Sequence, residues 1–263
     1  MKKITAIVYD GGFKDSAPAL QSLKNQTILN DVQVIWIEYY NKIFPPVKDY
    51  KFITTITLNL QGPKSGPTKN YPDMSYCYNA GLSIAEGEYF ILVDPCLWFP
   101  PNTLENIYKF HKEHPQVFTF NHEMRGKNTN NRHILTNQYF KDISKFKGDI
   151  VKVKKTNRGC MSCTRTEYYK GVDGFDSYPV VLFNHLTLCL IRMKNKYHLK
   201  EVGLPQRVYH PFHPRTQKTT KEQGTKILNE YKTNKTVAAR GGLSGFNIVH
   251  KLEGSGNSLS RKS

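Results

Sequence analysis

Residues 79–101 read NAGLSIAEGEYFILVDPCLWFPP, and within them Tyr89 to Val93 form an unbroken apolar run that stops on Asp94. A short apolar run without alternation reads as a strand buried on both faces, as in the middle of a parallel sheet. Pro95 and Cys96 follow, then Trp98, Pro100 and Pro101, so the chain turns at once. A carboxylate at the C-terminal end of such a strand stands where open α/β sheets place their ligands, in the crevice beyond the strand ends.

Outward from this point, strands and helices alternate. Residues 3–9 (KITAIVY), 32–38 (VQVIWIE) and 51–58 (KFITTITL) read as strands, and the second ends on Glu38. Residues 16–26 read as an amphipathic helix with Ser16 as its N-cap, and residues 73–86 as the helix before the deciding strand. A further helix opens at Pro101-Asn102, closes before Pro115, and leads to a strand over 116–121. The expected fold class is α/β, with a mostly parallel central sheet flanked by helices. Residues 122–157 are polar and basic, without periodicity. Order resumes with a strand near 159–165, a short helix at 166–171, a turn at Asp173-Gly174-Phe175-Asp176, a helix near 184–194 and a strand near 197–202. A helix over 221–232 and a mobile Gly/Ser/Lys-rich tail are expected after that. The expected organisation is one domain over 1–215, divided near 121, and a basic extension over 216–263.

The 263 residues carry a formal net charge of +17, unevenly spread. Residues 1–123 sum to −1, 124–170 to +9 and 214–263 to +7. Such asymmetry suits an anionic partner: nucleic acid, an acidic membrane surface, or a phosphorylated or acidic glycan substrate. A solvated lysine-rich surface is the plainer account. Tyr139, Phe140 and Phe146 lie among the lysines, but no nucleic-acid motif accompanies them, so nucleic acid is the least favoured partner. No apolar run reaches the length of a membrane span. The start, MKKITAIVYDGG, reads as a first strand, and the five cysteines are an odd number. Reduced thiols and a cytoplasmic setting are therefore expected. Cys160-x-x-Cys163 lacks the second pair that structural zinc needs, so both read as residues of a buried strand.

The pattern Asn79-x-Gly81, a small-residue helix, Gly87-Glu88-Tyr89, an apolar strand, Asp94 and a Pro-flanked helix start resembles the central segment of family 2 glycosyltransferases of the GT-A fold. Residues 22–27, SLKNQT, are similar to that family's Ser-Leu-x-x-Gln-Thr signature, and residues 158–176, RGCMSCTRTEYYKGVDGFD, resemble its acceptor-side segment. There Arg165 and Gly174-Phe175-Asp176 match, while Asp173 stands in place of a Gly. The likeness extends, with gaps, over roughly residues 3–215.

The resemblance implies a Rossmann-like nucleotide-binding half and transfer of a sugar from a nucleoside diphosphate sugar, with inversion, to a hydroxyl on a glycan or lipid-linked glycan. It implies that Glu38, Asn79, Asp94 and Arg165 face the nucleotide sugar; Arg215, beside the late histidines, and the basic 124–170 segment are candidates to neutralise the leaving diphosphate. It implies a divalent cation, Mn²⁺ or Mg²⁺, held by Asp94 together with His213 or, as second choice, His210 from YHPFHPR (209–215). Cys96 stands where the family's Asp-x-Asp has its second carboxylate, and a thiol is a poor ligand for those hard ions. Asn184-His185 stands where the family's Glu-Asp base pair falls. His185 is then the candidate general base and Asp176 the second, with simple packing of His185 under its helix left open. A fold that binds a nucleotide sugar or glycan without turnover is the alternative to an enzyme. Electrostatic docking of residues 216–263 on an anionic membrane is a further expectation.

Overall fold

The computed structural model describes residues 2–10, 17–38, 50–58, 74–126, 150–152, 161–176, 185–210, 228–239, 243, 248–253 and 256–261. The strands are β1 (Ile4–Asp10), β2 (Val32–Glu38), β3 (Ile53–Thr57), β4 (Tyr89–Val93), β5 (Val117–Gly126), β6 (Ile150–Lys152), β7 (Met161–Arg165), β8 (Lys200–His210), β9 (Ile248–Glu253) and β10 (Gly256–Arg261). The helices are α1 (Ala17–Lys24), α2 (Met74–Ser83), α3 (Thr103–Glu113), α4 (Thr166–Gly171) and α5 (His185–Tyr197).

All ten strands join one mixed sheet in the order β6-β5-β7-β4-β1-β2-β3-β10-β9, with β8 pairing with β5. Its centre, β3-β2-β1-β4, is parallel. These are the apolar runs of the sequence, and β4 is buried at all five positions. Strands covered on both faces need no alternation, which explains their composition. One face packs under α2, α4 and α5, and the other under α1 and α3. Helix α3 buries Thr103, Leu104, Ile107 and His111, the stripe that a 3.6-residue repeat produces.

From β1 the chain builds β2 and β3 on one side, then returns to place β4 on the other. The strand order therefore reverses between β1 and β4. A crevice opens at such a switch point, beyond the C-terminal strand ends. Asp94 follows β4 directly at that place.

Beyond the centre the structure departs from the sequence expectations. Strand β5 runs on to Gly126 and β8 to His210, well past 121 and 202, because the two pair in parallel along their length. Their register shifts between Asn121 and His122, where β8 spends two extra residues, Pro205 and Gln206. Pro205 lacks a backbone N–H and is tolerated at such an irregularity. Asn121 closes the gap by donating from Nδ2 to the Gln206 carbonyl at 3.0 Å. The C-terminal tail, expected to be mobile, contributes β9 and β10, with β10 parallel to β3. Helical residues in the expected 221–232 stretch are described over 228–233.

Candidate functional site

Register fixes what meets at the sheet edge. Val8 pairs with Val93 and Asp10 with Glu38, so the last residues of β1 and β2 and the first after β4 share one rim. After Val93 the chain closes a turn through the Leu97 N–H to the Asp94 carbonyl, at 3.1 Å. Trp98 and Tyr209 then exchange both backbone hydrogen bonds, at 2.9 and 2.8 Å. This isolated bridge clips the end of β8 onto the segment after β4. The residue after Tyr209 is His210, whose Nε2 lies 3.7 Å from Asp94 Oδ2. On the other side the Cys96 S–H donates to Asp94 Oδ1 at 3.5 Å. One ligand atom from each of Asp94, Cys96 and His210 falls within 4.8 Å of the others. This is the metal-competent cluster found among the described residues.

His210, the second choice from sequence, is thus the imidazole beside Asp94. His213 and Arg215 lie outside the described residues. Cys96, read as a defect in the ligand pair, is part of the cluster.

Glu38 stays at the edge. It is buried, and its Oε1 accepts from Trp36 Nε1 at 2.9 Å. Residues i and i+2 of a strand share a face, so the indole aims the carboxylate. Asn79 is a correction. Its side chain is fully buried, donates from Nδ2 to the Phe175 carbonyl and accepts from the Phe175 N–H, both at 2.8 Å. Such a reciprocal grip holds a turn in place, so Asn79 positions Phe175 where direct nucleotide contact was expected. Gly81 of the same motif lets α2 pack closely on β1 and β2, since a methyl there would require the Ile7 side chain to shift. The turn itself has Asp173 at φ 62° and Gly174 at φ 70°. Asp is among the few non-glycine residues that adopt this region readily, so the family's Gly is replaceable here.

Arg165 is the second correction. It pairs with Tyr89, the first residue of β4, whereas Met161 pairs with Val93. Strands rise about 3.3 Å per residue, so Arg165 stands about 16 Å from the Asp94 end. There it forms ion pairs with Glu167 at 3.1 Å and Glu88 at 3.9 Å. It caps the far end of the sheet and does not reach the switch-point crevice.

The two candidate bases lie close together. His185 opens α5, is buried, and its ring packs 5.3 Å from that of Tyr78. Tyr78 in turn touches Tyr9, near the end of β1, at 5.7 Å, so this chain of rings leads to the same rim. Burial pushes the His185 imidazole down to about 4, with the Asp176 carboxylate pulling it part of the way back. A neutral ring nitrogen is therefore present at ordinary pH. Asp176 is differently engaged: Arg192 donates to its Oδ2 and Tyr231 to its Oδ1. Arg192 also donates to the Gly174 carbonyl and is fully buried. Asp176 thus ties α5 and the 228–233 helical stretch to the 173–176 turn, and its oxygens are occupied by proton donors. Its place as second candidate base gives way to a structural one.

Sequence reasoning passed over Arg192 and Tyr231. A signal existed: His185, Leu188, Cys189 and Arg192 lie on one buried stripe of α5. An arginine on such a stripe needs a carboxylate partner.

The cluster's fit to a cation can be tested on its separations. Tetrahedral sites with metal–ligand bonds of about 2.0–2.3 Å have ligand atoms about 3.3–3.8 Å apart. Cys96 Sγ lies 3.5 Å from Oδ1 of Asp94 and His210 Nε2 lies 3.7 Å from Oδ2, and one ligand atom from each residue falls within 4.8 Å of the others, close to that range. The residues present fit a divalent ion.

The family model described as Glycosyl transferase family 2 matches residues 68–172. No curated protein matches the chain. Among solved structures, S. aureus TarS 1-349 in complex with UDP-GlcNAc superposes with a TM-score of 0.59 at 16% identity, over 89% of this chain and 69% of that one. S. aureus TarS 1-349 gives 0.56 at 18% identity, over 80% and 60%. The mannosyltransferase PcManGT from Pyrobaculum calidifontis, in complex with GDP-Man and Mn²⁺, gives 0.55 at 11% identity, over 88% and 69%. The chain spans 41% of the longer S. aureus TarS structure. These likenesses show the GT-A fold.

Proposed function

We propose that this chain, a glycosyl transferase family 2 relative by its central segment and a GT-A protein by its fold, moves a sugar from a nucleoside diphosphate sugar to an acceptor hydroxyl. The observation behind the reading is the carboxylate of Asp94 at the topological switch point, with Cys96 and His210 against it. Glu38, on the same rim, is the group we assign to the nucleoside. A carboxylate accepts from ring N–H or hydroxyl groups, which suits that task.

The transfer is read as a direct displacement with inversion. The acceptor oxygen bonds to the anomeric carbon while that carbon's bond to the diphosphate breaks. The electron pair leaves with the diphosphate, and the hydroxyl proton goes to a base. Asp94, Cys96 and His210 would hold a divalent ion, which supplies positive charge to the leaving diphosphate. His185 is assigned as the base. With its imidazole at about 4 it matches an ordinary carboxylate in strength, and its lone pair is free throughout the neutral range. Asn79 and the Asp176–Arg192–Tyr231 group position the Phe175 turn and the start of α5, and so His185. Holding two substrates in line contributes much of the remaining rate.

The acceptor is read as a hydroxyl on a glycan or glycoconjugate, including a lipid-linked one at an anionic membrane that attracts residues 214–263. Among the described residues, no helix is long and apolar enough to cross a membrane. Liposome flotation of the full chain tests the docking: replacing the exposed Lys232 and Lys235 by Gln should weaken binding to anionic vesicles, and unchanged flotation would dismiss the idea.

A second reading is a nucleotide-sugar-binding module without turnover. It is favoured by one observation, that the aspartate nearest His185 is tied to Arg192 and Tyr231. Diphosphate release from a panel of nucleoside diphosphate sugars separates the two. The enzyme releases diphosphate and Asp94→Asn does not, whereas the module binds donor and releases none.

A further inference from the structure

The donor atoms around Asp94 are of an unusual kind for the ion that the nucleotide-sugar reading requires. Mg²⁺ prefers near-ideal octahedral oxygen coordination and gives up its waters reluctantly. Here one ligand is a carboxylate, one an imidazole and one a thiol. Thiolate and imidazole favour borderline ions such as Zn²⁺ and Co²⁺ over Mg²⁺ and Mn²⁺. Three protein ligands with a fourth position left for substrate is also the arrangement of catalytic zinc sites.

The surroundings suit such a site. Cys96 and His210 are both buried, while the Asp94 side chain keeps 14% of its surface exposed, so the cluster is largely desolvated but still reached by solvent at Asp94. The reciprocal Trp98–Tyr209 bridge and the turn closed on the Asp94 carbonyl hold all three ligand-bearing residues on ordered backbone. One ligand atom from each of the three residues lies within 4.8 Å of the others, near enough to converge on one ion.

From these observations we infer that Asp94, Cys96 and His210 form a site for a thiolate-accepting divalent ion of the Zn²⁺ or Co²⁺ class, in preference to Mg²⁺. The inference rests on the donor-site reading for its purpose, since the ion would face the diphosphate. On binding, the Cys96 S–H bond breaks, its proton leaves to solvent, and the sulfur pair is donated to the metal. Asp94 and His210 contribute an oxygen and a ring nitrogen, each without gain or loss of electrons.

The test is a titration of the full chain with Co²⁺ in a non-thiol reductant, read by absorbance. A thiolate-to-cobalt charge-transfer band in the near ultraviolet is expected, accompanied by visible bands of a tetrahedral ion. Zn²⁺ should erase both, and a large excess of Mg²⁺ should erase neither. Cys96→Ser should lose the charge-transfer band while keeping its thermal midpoint. Cys96→Asp, which restores the two-carboxylate pattern, should shift the preference toward Mg²⁺ and Mn²⁺. Absence of the band in the wild type, or its survival in Cys96→Ser, overturns the inference. Calorimetry with UDP and GDP, with Co²⁺ or Mg²⁺ present, keeps the two readings apart. Diphosphate binding that is equal with Mg²⁺ in the wild type and in Cys96→Ser overturns the ion assignment and leaves the donor site standing. A cobalt band without any diphosphate binding supports the ion site and removes the donor reading.

Discussion

Asp94 and Asp176 are both largely buried carboxylates of the same GT-A fold, and their neighbours are of opposite kinds. Around Asp94 stand a thiol, which donates its proton to the carboxylate, and an imidazole; either can instead give an electron pair once that proton is lost. Around Asp176 stand a guanidinium and a phenol, both groups with protons to give. Proton donors satisfy a carboxylate completely and turn it into a fastening. A thiol and an imidazole can exchange their protons for a cation, which a guanidinium cannot. Exposure follows the same division: the Asp94 side chain keeps 14% of its surface, while Arg192 and Asp176 keep 0% and 7%.

The largest expected effect breaks the closed cluster. Arg192→Leu leaves the Asp176 charge buried and should cost about 3–5 kcal/mol of stability, read by denaturant unfolding. Pairing it with Asp176→Leu should recover a large part of that loss, because no charge then remains buried. A single variant as stable as wild type would mean that the pair is not a fastening.

Next comes the open cluster. Asp94→Asn should reduce diphosphate release from the donor about 10²–10³-fold, the usual cost of losing a preorganised charge contact. Its unfolding midpoint should stay close to that of the wild type. Lost folding together with lost activity would place Asp94 in the same class as Asp176.

The third effect concerns pH. His185 and His111 are both pushed down to about 4, chiefly by burial. Their folded values lie below the ordinary 6.5, so the unfolded chain binds protons that the folded chain refuses. The stability they contribute is full above pH 6.5 and fades as pH falls toward 4. Each is worth up to about 3 kcal/mol over that window. Urea unfolding of the wild type and of His111→Gln at a series of pH values should show a shallower acid loss in the variant. Parallel profiles would remove the assignment.

The smallest effect is at the far end of the sheet. Arg165→Ala should leave donor binding unchanged and cost about 1 kcal/mol or less, as partly exposed ion pairs do. A large loss of donor affinity would return Arg165 to the crevice.

How far these roles were legible depends on the range of the forces that set them. Strands β1, β2 and β4 announce themselves, since residues buried on both faces leave unbroken apolar runs. The Asp94 edge follows from the same signal. Strand β8 runs on past the expected 197–202, through Pro205, a residue that ordinarily ends or edges a strand. Only its pairing with β5, including the shift at Asn121, shows a strand that tolerates it. That long-range pairing delivers His210 to Asp94, which no local periodicity reports. Arg165 was misplaced for a similar reason: β7 runs antiparallel to β4, so the motif's arginine lands at the opposite end. Asn79 looked like a ligand because a buried amide and a binding amide are identical in sequence. Only the Phe175 backbone against it tells them apart.

The central claim is that the rim at Asp94 grips a donor diphosphate through a divalent ion. Calorimetric binding of UDP and GDP to the wild type and to Asp94→Asn, each with and without divalent ion, tests it most directly. Binding that requires the ion and disappears in a folded Asp94→Asn protein is the expected result. Ion-independent binding of equal strength in both proteins would contradict it.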